Sequence, residues 1–158
     1  MKKYILQILA IIAISTNSFA LELTSEELET QIKLTEQYME LVNDHRNDIG
    51  HGTLTYVNDI EKSAEYHSKR MAIGKVSFSH KGSGNRCSSI KLSMGRGNLC
   101  GEIIAWGQKT PERVFKAWLN SPGHKRILEG RRYTHTGMGF AKNSKGRIYW
   151  TQIFLEIR

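Results

Sequence analysis

The chain has 158 residues and a formal charge of +8, enough for one domain with a single sizeable core and too few for two ordinary ones. Its 23 Lys and Arg against 15 Asp and Glu suit a solvated, mildly basic surface and add attraction to anionic phospholipid, lipopolysaccharide, wall polymer or nucleic acid. Beyond the first few residues no stretch is apolar enough to cross a bilayer.

Lys2 and Lys3 precede an apolar run from Tyr4 to Ile14, and STNSFA follows with Ser18 and Ala20 at the positions a signal peptidase favours. That run is shorter than the roughly 20 residues needed to span a membrane. Residues 1–20 therefore read as a signal peptide cleaved after Ala20, and the mature chain as exported to the periplasm or beyond the cell. Removing 20 of 158 residues leaves 138, and losing Lys2 and Lys3 lowers the charge from +8 to +6.

The first mature helix is predicted from Thr24, where Thr24 and Glu27 make a capping-box pair. Leu28, Ile32, Met39 and Val42 share one face, with Leu34, Tyr38, Leu41 and His45 beside it, so one broad side should be buried until Gly50 and Gly52 end the element. A second helix starts near Asn58 and carries Ile60, Ala64, His67 and Met71 on its inner face as far as Gly74. His67 stands alone in that stripe and reads as a core or edge histidine.

From Lys75 to Gly97 Ser, Gly, Lys and Asn recur without a sustained period, which predicts a loop long enough to suggest function in so small a domain. His80 lies within it, after the anchoring residues Val76 and Phe78. Two cysteines in an exported chain point to one disulfide, Cys87 to Cys100, rather than a thiolate metal site. Closing so short a loop stabilises by about 3 kcal/mol in the chain-entropy account. The bridge ties the segment after His80 to the strand that carries Glu102.

Glu102 heads a short apolar strand, Ile103 to Trp106, closed by Gly107. Thr110, Pro111 and Glu112 are an N-cap, a first-turn proline and a first-turn carboxylate. Ser121 and Pro122 repeat the signal, so Ser121 is expected to cap a second short helix with His124 in its first turn. Strands at Thr136 to Ala141 and Arg147 to Ile157 follow, joined by a loop from Asn143 to Gly146. Trp106, Trp118 and Trp150 read as core aromatics. The order predicts an α+β domain with helices covering an antiparallel sheet. No phosphate-binding glycine loop appears, so no nucleotide cofactor is expected. No G-x-S-x-G elbow presents a serine, and disulfide formation leaves no thiolate.

Six segments in order carry a resemblance: LVNDHR at Leu41 to Arg46, VSFSH ending in His80, GEIIAWG from Gly101, WLNSPGHKRIL from Trp118, TGMGFA from Thr136 and IYWTQIF from Ile148. Together they closely resemble the bacterial branch of the CAP superfamily, the SCP-like extracellular relatives of cysteine-rich secretory, antigen 5 and pathogenesis-related 1 proteins. The resemblance covers residues 38–158 and leaves 21–37 as an N-terminal helical extension. It implies a three-layer α-β-α sandwich with a central antiparallel sheet and a large open cleft. It also implies two histidines and two glutamates in that cleft, where some members bind a divalent cation such as zinc. The first histidine falls on His80, the glutamate of the GEN motif on Glu102 and the second histidine on His124. The other glutamate falls on Ser121 and the GEN asparagine on Ile103, so one carboxylate and one polar partner are missing.

Two neutral imidazoles and a carboxylate are a common first shell for catalytic zinc, with water in the fourth position. Glu102 could otherwise serve as general base, or the three could form a hydrogen-bonded network that fixes the cleft wall. The expected function is a non-enzymatic binding module for a small hydrophobic ligand, peptide or glycan. One alternative is a metal-assisted hydrolase of peptide or wall material using Glu102, His80 and His124. Another is a basic interaction protein for anionic surface polymers or host partners, with no specific nucleic acid.

Overall fold

The computed structural model describes residues 24–95 and 97–157, apart from the side chain of Glu27. The signal-peptide reading of 1–20 and the Glu27 half of the capping box lie outside the described residues. In chain order the elements are α1 (Ser25–Asp48), β1 (Thr55–Tyr56), α2 (Asn58–Ala72), α3 (Ser83–Ser93), β2 (Cys100–Trp106), α4 (Pro111–Leu119), α5 (Pro122–Leu128), β3 (His135–Lys142) and β4 (Ile148–Leu155).

β3 and β4 form a hairpin whose turn is organised by Asn143, its Oδ1 accepting from the backbone N–H groups of Lys145 (3.0 Å) and Arg147 (2.8 Å). β2 pairs antiparallel with β4, and the two-residue β1 lies parallel to β3, giving the order β1-β3-β4-β2. β2 is thus an edge strand of a sheet that is antiparallel apart from β1.

Alternation along the strands divides the core. Ile103 and Ala105 of β2, opposite Gln152 and Trp150, face Tyr38, Val42, Val114, Trp118 and Leu128 of α1, α4 and α5. Ile153 and Leu155 on the other side meet Ile60 and Ala64 of α2 and Ile90 of α3. Three layers result, the α-β-α sandwich expected from the resemblance. A polar chain in the first core is closed: the Tyr38 hydroxyl donates to Gln152 Oε1, Gln152 Nε2 donates to Thr136 Oγ1 at 3.0 Å, and that hydroxyl donates to Ile153 O at 2.8 Å.

A buried arginine positions α5. Arg46 donates to the carbonyls of Gly52 (2.8 Å), Leu128 (2.8 Å), Gly130 (3.2 Å) and Tyr133 (3.2 Å), so the end of α1 holds the end of α5 and the loop beyond it. Burial lowers its pKa from the usual arginine range. Four carbonyl acceptors compensate a charge that has no carboxylate partner in this set.

Several expectations are corrected. Leu28 and Ile32 are 50% and 51% exposed, because the covered side of α1 begins with Thr35 and Tyr38, a turn later than the sequence stripe suggests. The expected loop over 75–97 contains α3, an eleven-residue helix with a single buried apolar side chain, Ile90. Its Ser, Gly and Asn residues mask the helical period. The Ser121 hydroxyl makes no cap hydrogen bond; the first turn of α5 is closed by the Lys125 N–H on Ser121 O at 2.8 Å. At α4 the expected cap is present, with Thr110 Oγ1 accepting from the Arg113 N–H at 3.4 Å.

Gly137 and Gly139 let α2 lie directly on β3, since a Cβ at either would stand 2.2 Å from a backbone nitrogen of α2, that of Glu61 or Glu65. The Gly139→Ala variant should therefore lose about 1–3 kcal/mol or more of stability, because helix backbone must move aside. Gly84→Ala, in the open and helical start of α3, should be neutral or stabilising by a few tenths of a kcal/mol, on the order of the Gly-to-Ala helix gain. Paired thermal melts check the contrast, and equal melting temperatures would refute the close-approach account.

Candidate functional site

The site is assembled where α3 meets the start of the edge strand. The Cys87–Cys100 disulfide forms as expected, with Cα atoms 6.0 Å apart. It sets Arg86, one residue before Cys87, against Glu102, two residues after Cys100. Arg86 Nε donates to Glu102 Oε2 at 2.7 Å and Arg86 Nη2 to Oε1 at 2.8 Å, a two-pronged ion pair. His80 Nδ1 lies 2.9 Å from the same Oε1. The Glu102 side chain is only 3% exposed and that of Arg86 14%.

Burial pushes the Glu102 pKa up, but the hydrogen bonds from His80 and Arg86, with the charge of Arg86, outweigh it and leave the carboxyl below its usual range. Glu102 is therefore an acceptor-only carboxylate. His80 must carry a proton on Nδ1 and donate it, since a carboxylate only accepts. The His80 side chain is 47% exposed, so this ring is the accessible member of the pair.

The backbone on both sides of His80 is fastened. His67 Nε2, 3.0 Å from Ser79 O, must be the protonated nitrogen because a carbonyl only accepts. Arg86 Nη1 donates to Lys81 O at 3.2 Å. Burial, then the nearby charge of Arg86, lowers the His67 pKa and keeps this ring neutral. His67 is thus the buried α2 histidine expected from the sequence, with the added task of anchoring the loop. His124, third residue of α5, is half-buried; burial and then His80 lower its pKa, so the two imidazoles influence each other across β2. Ser121, also half-buried, stands at the head of the same short helix.

The structure brings His80 and Glu102 into contact and His124 within electrostatic reach of His80. Among the described residues, however, no three His, Cys, Asp or Glu side chains are grouped to hold a metal ion. The reason is local: both oxygens of Glu102 are engaged, and a dication there would face the guanidinium of Arg86. The residues present do not fit a three-ligand metal shell, because two imidazoles remain where three ligands were expected.

Beside His80 lies an aromatic cluster. Trp106, at the far end of β2, stacks on Tyr149 with centroids 6.2 Å apart, and Phe78 approaches Trp106 at 5.7 Å. The Arg147 guanidinium sits 4.0 Å over the Trp106 ring. Trp118 and Trp150 are buried as expected, but Trp106 is 43% exposed, covered only in part by Phe78, Tyr149 and Arg147. The functional residues that sequence reasoning missed are Arg86 and the aromatic trio. The only signal for Arg86 was its position next to a bridged cysteine.

An α-β-α sandwich with a histidine- and glutamate-lined site along an edge strand is the architecture of the CAP, or SCP-like, class. The chain belongs to that family: the model of the cysteine-rich secretory protein family matches residues 39–154. The turns of α1 before residue 39 therefore precede the matched region. The protein YkwD of Bacillus subtilis strain 168 is 37% identical over 119 residues, 74% of this chain and 45% of YkwD. The chain thus spans less than half the length of the curated relatives it matches. Among solved structures, an extracellular SCP-domain protein of Bacillus anthracis is similar with a TM-score of 0.68 and 26% identity, over 85% of this chain and 44% of that one. An outer surface protein of Borrelia burgdorferi shares the fold at a TM-score of 0.68 and 22% identity, over 80% and 94% of the two chains. No helix among the described residues is long and apolar enough to cross a membrane.

Removing Arg86 tests the site directly. In the native protein the Glu102 pKa lies below its unfolded value, so its stabilisation is complete above the ordinary carboxylate range and is lost as pH falls through the folded value. In Arg86→Met, burial is opposed mainly by His80, so the Glu102 pKa should rise toward or above its unfolded value and the loss of stability on acidification should shrink or reverse. Stranding a buried carboxylate should also cost about 3–5 kcal/mol near neutral pH. Urea melts from about pH 3 to about pH 7 check both; superimposable profiles would rule out the ion pair as the organiser of the site.

Proposed function

We propose that the chain is an exported, non-enzymatic binding module whose cleft takes a glycan or peptide against the His80, Glu102 and His124 wall and the Phe78, Trp106 and Tyr149 cluster. The observation that carries this reading is the state of Glu102: a carboxylate with both oxygens engaged and its pKa lowered is spent as a general base and as a metal ligand. Hydrolysis would need that group free, with a pKa raised toward neutrality. The exposed faces of Trp106 and Phe78 instead suit sugar rings or peptide side chains, which pack on aromatic planes. Export is supported by the N-terminal sequence and by relatives that are extracellular SCP-domain or outer surface proteins.

Soluble muropeptides, which carry glycan and peptide together, are the probe. Titration into the mature protein should give saturable binding with no released product and no change on adding a chelator. Trp106→Ala should weaken it about fivefold, the worth of about 1 kcal/mol of aromatic contact. Product formation that stops with chelator or with Glu102→Gln would overturn the non-enzymatic reading, and absence of saturable binding would overturn the ligand class.

A further inference from the structure

A separate cavity of about 600 Å³ lies between the second half of α2, the 75–82 segment and the start of α3. Its volume falls within the roughly 300–1,000 Å³ of small-molecule sites. Ser79 and Lys81, the neighbours of His80, line it, whereas His80, Glu102 and His124 do not.

Its lining has a one-sided charge. Arg70, Lys75, Lys81 and Arg86 contribute four cations, and none of the lining residues is acidic. Arg86 is neutralised by Glu102. The other three make no ion pair with any described residue, and Arg70 meets only the Tyr66 ring, 5.6 Å from its centroid. Three uncompensated cations around one concavity repel one another, a cost that an anion relieves. Ser77 and Asn85 add a hydroxyl and an amide able to donate to anionic oxygens.

The chemistry of the set narrows the anion. A phosphate monoester carries a charge of about −1.5 to −2 near neutral pH and three free oxygens, matching three cations and several donors better than one carboxylate or a phosphodiester does. The cavity is larger than a phosphate group alone, and the exposed Tyr66 ring and Val76 offer an apolar wall for attached carbon. Its walls are already fixed by the His67–Ser79 and Arg86–Lys81 hydrogen bonds, so little ordering opposes binding. We propose that this cavity binds the phosphate of a polyol phosphate monoester, presented either as a soluble glycerol or sugar phosphate or as the terminal phosphate of a phosphatidic acid.

Calorimetric titration of the full mature chain with glycerol phosphate, alongside flotation with phosphatidic acid and phosphatidylcholine vesicles, tests the proposal. Arg70→Gln combined with Lys75→Gln removes two cations from the cavity, while Lys142→Gln combined with Lys145→Gln removes two from the β3–β4 hairpin, outside the cavity lining. In the soluble case, one-to-one binding of glycerol phosphate should weaken at least about tenfold in the first double variant, as expected for lost charge-assisted hydrogen bonds, and hold in the second. In the lipid case, the protein should float with phosphatidic acid but not phosphatidylcholine vesicles, and that flotation should be lost in the first double variant alone. Absence of both kinds of binding, or equal loss in the two double variants, would overturn the site and leave only the general basic charge. Arg70 and Lys75 take no part in the glycan or peptide cleft, so failure of muropeptide binding leaves this outcome unaffected.

Discussion

The buried carboxylate of Glu102 is the constraint on which the site depends. An ion removed from water costs several kcal/mol unless its partners are well placed, and here the partners come from outside its own strand: the fork of Arg86 and the imidazole of His80. Such geometry tolerates little slippage between α3 and β2. The disulfide supplies that register, since Cys100 and Cys87 lie within two residues of Glu102 and Arg86 respectively. α3 has little else to hold it, having one buried apolar residue and a first turn rich in Ser, Gly and Asn. Covalent and ionic ties replace the apolar face that normally fixes a surface helix.

The same tie explains what was readable beforehand. α2 was visible because Ile60, Ala64, His67 and Met71 recur at helical spacing on a face that is in fact buried, and α4 because Thr110 and Pro111 form a start signal the structure uses. α3 was invisible because its stability comes from Cys100 and Glu102, which are distant in sequence. His80, Glu102 and His124 could be named from motifs, whereas the pairing of Arg86 with Glu102 exists only once the disulfide has closed. Trp106 was misplaced for a related reason. It closes a continuous apolar run and large aromatics usually pack, but at the end of an edge strand its neighbours Phe78 and Tyr149 leave it 43% exposed.

The layers also divide the site. Glu102 and His80 belong to the side of the sheet covered by α2 and α3, while His124 rides on α5, which Arg46 fastens to the end of α1 through the carbonyls of Leu128 and Gly130. Only the edge strand β2 stands between them. A ligand that touches both histidines must therefore bridge the two helical layers, and the buried Arg46, remote from any ligand, sets where the second layer offers His124.

Charge separates the two recognition surfaces along the same segment. Around Glu102 the ion pair cancels Arg86 and burial lowers the pKa of His67 and His124, so the proposed ligand wall presents hydrogen-bonding groups and aromatic faces, with Arg147 over Trp106 as its cation. Across the 75–82 segment, Arg70, Lys75 and Lys81 keep their charge without a carboxylate beside them. Arg86 makes this division possible. Its guanidinium lines the cationic cavity, yet it gives two of its prongs to Glu102 and another to the Lys81 carbonyl. Losing it would at once charge the cleft wall, loosen the loop that carries His80 and open one side of the cavity, so the two surfaces cannot be altered independently at this residue.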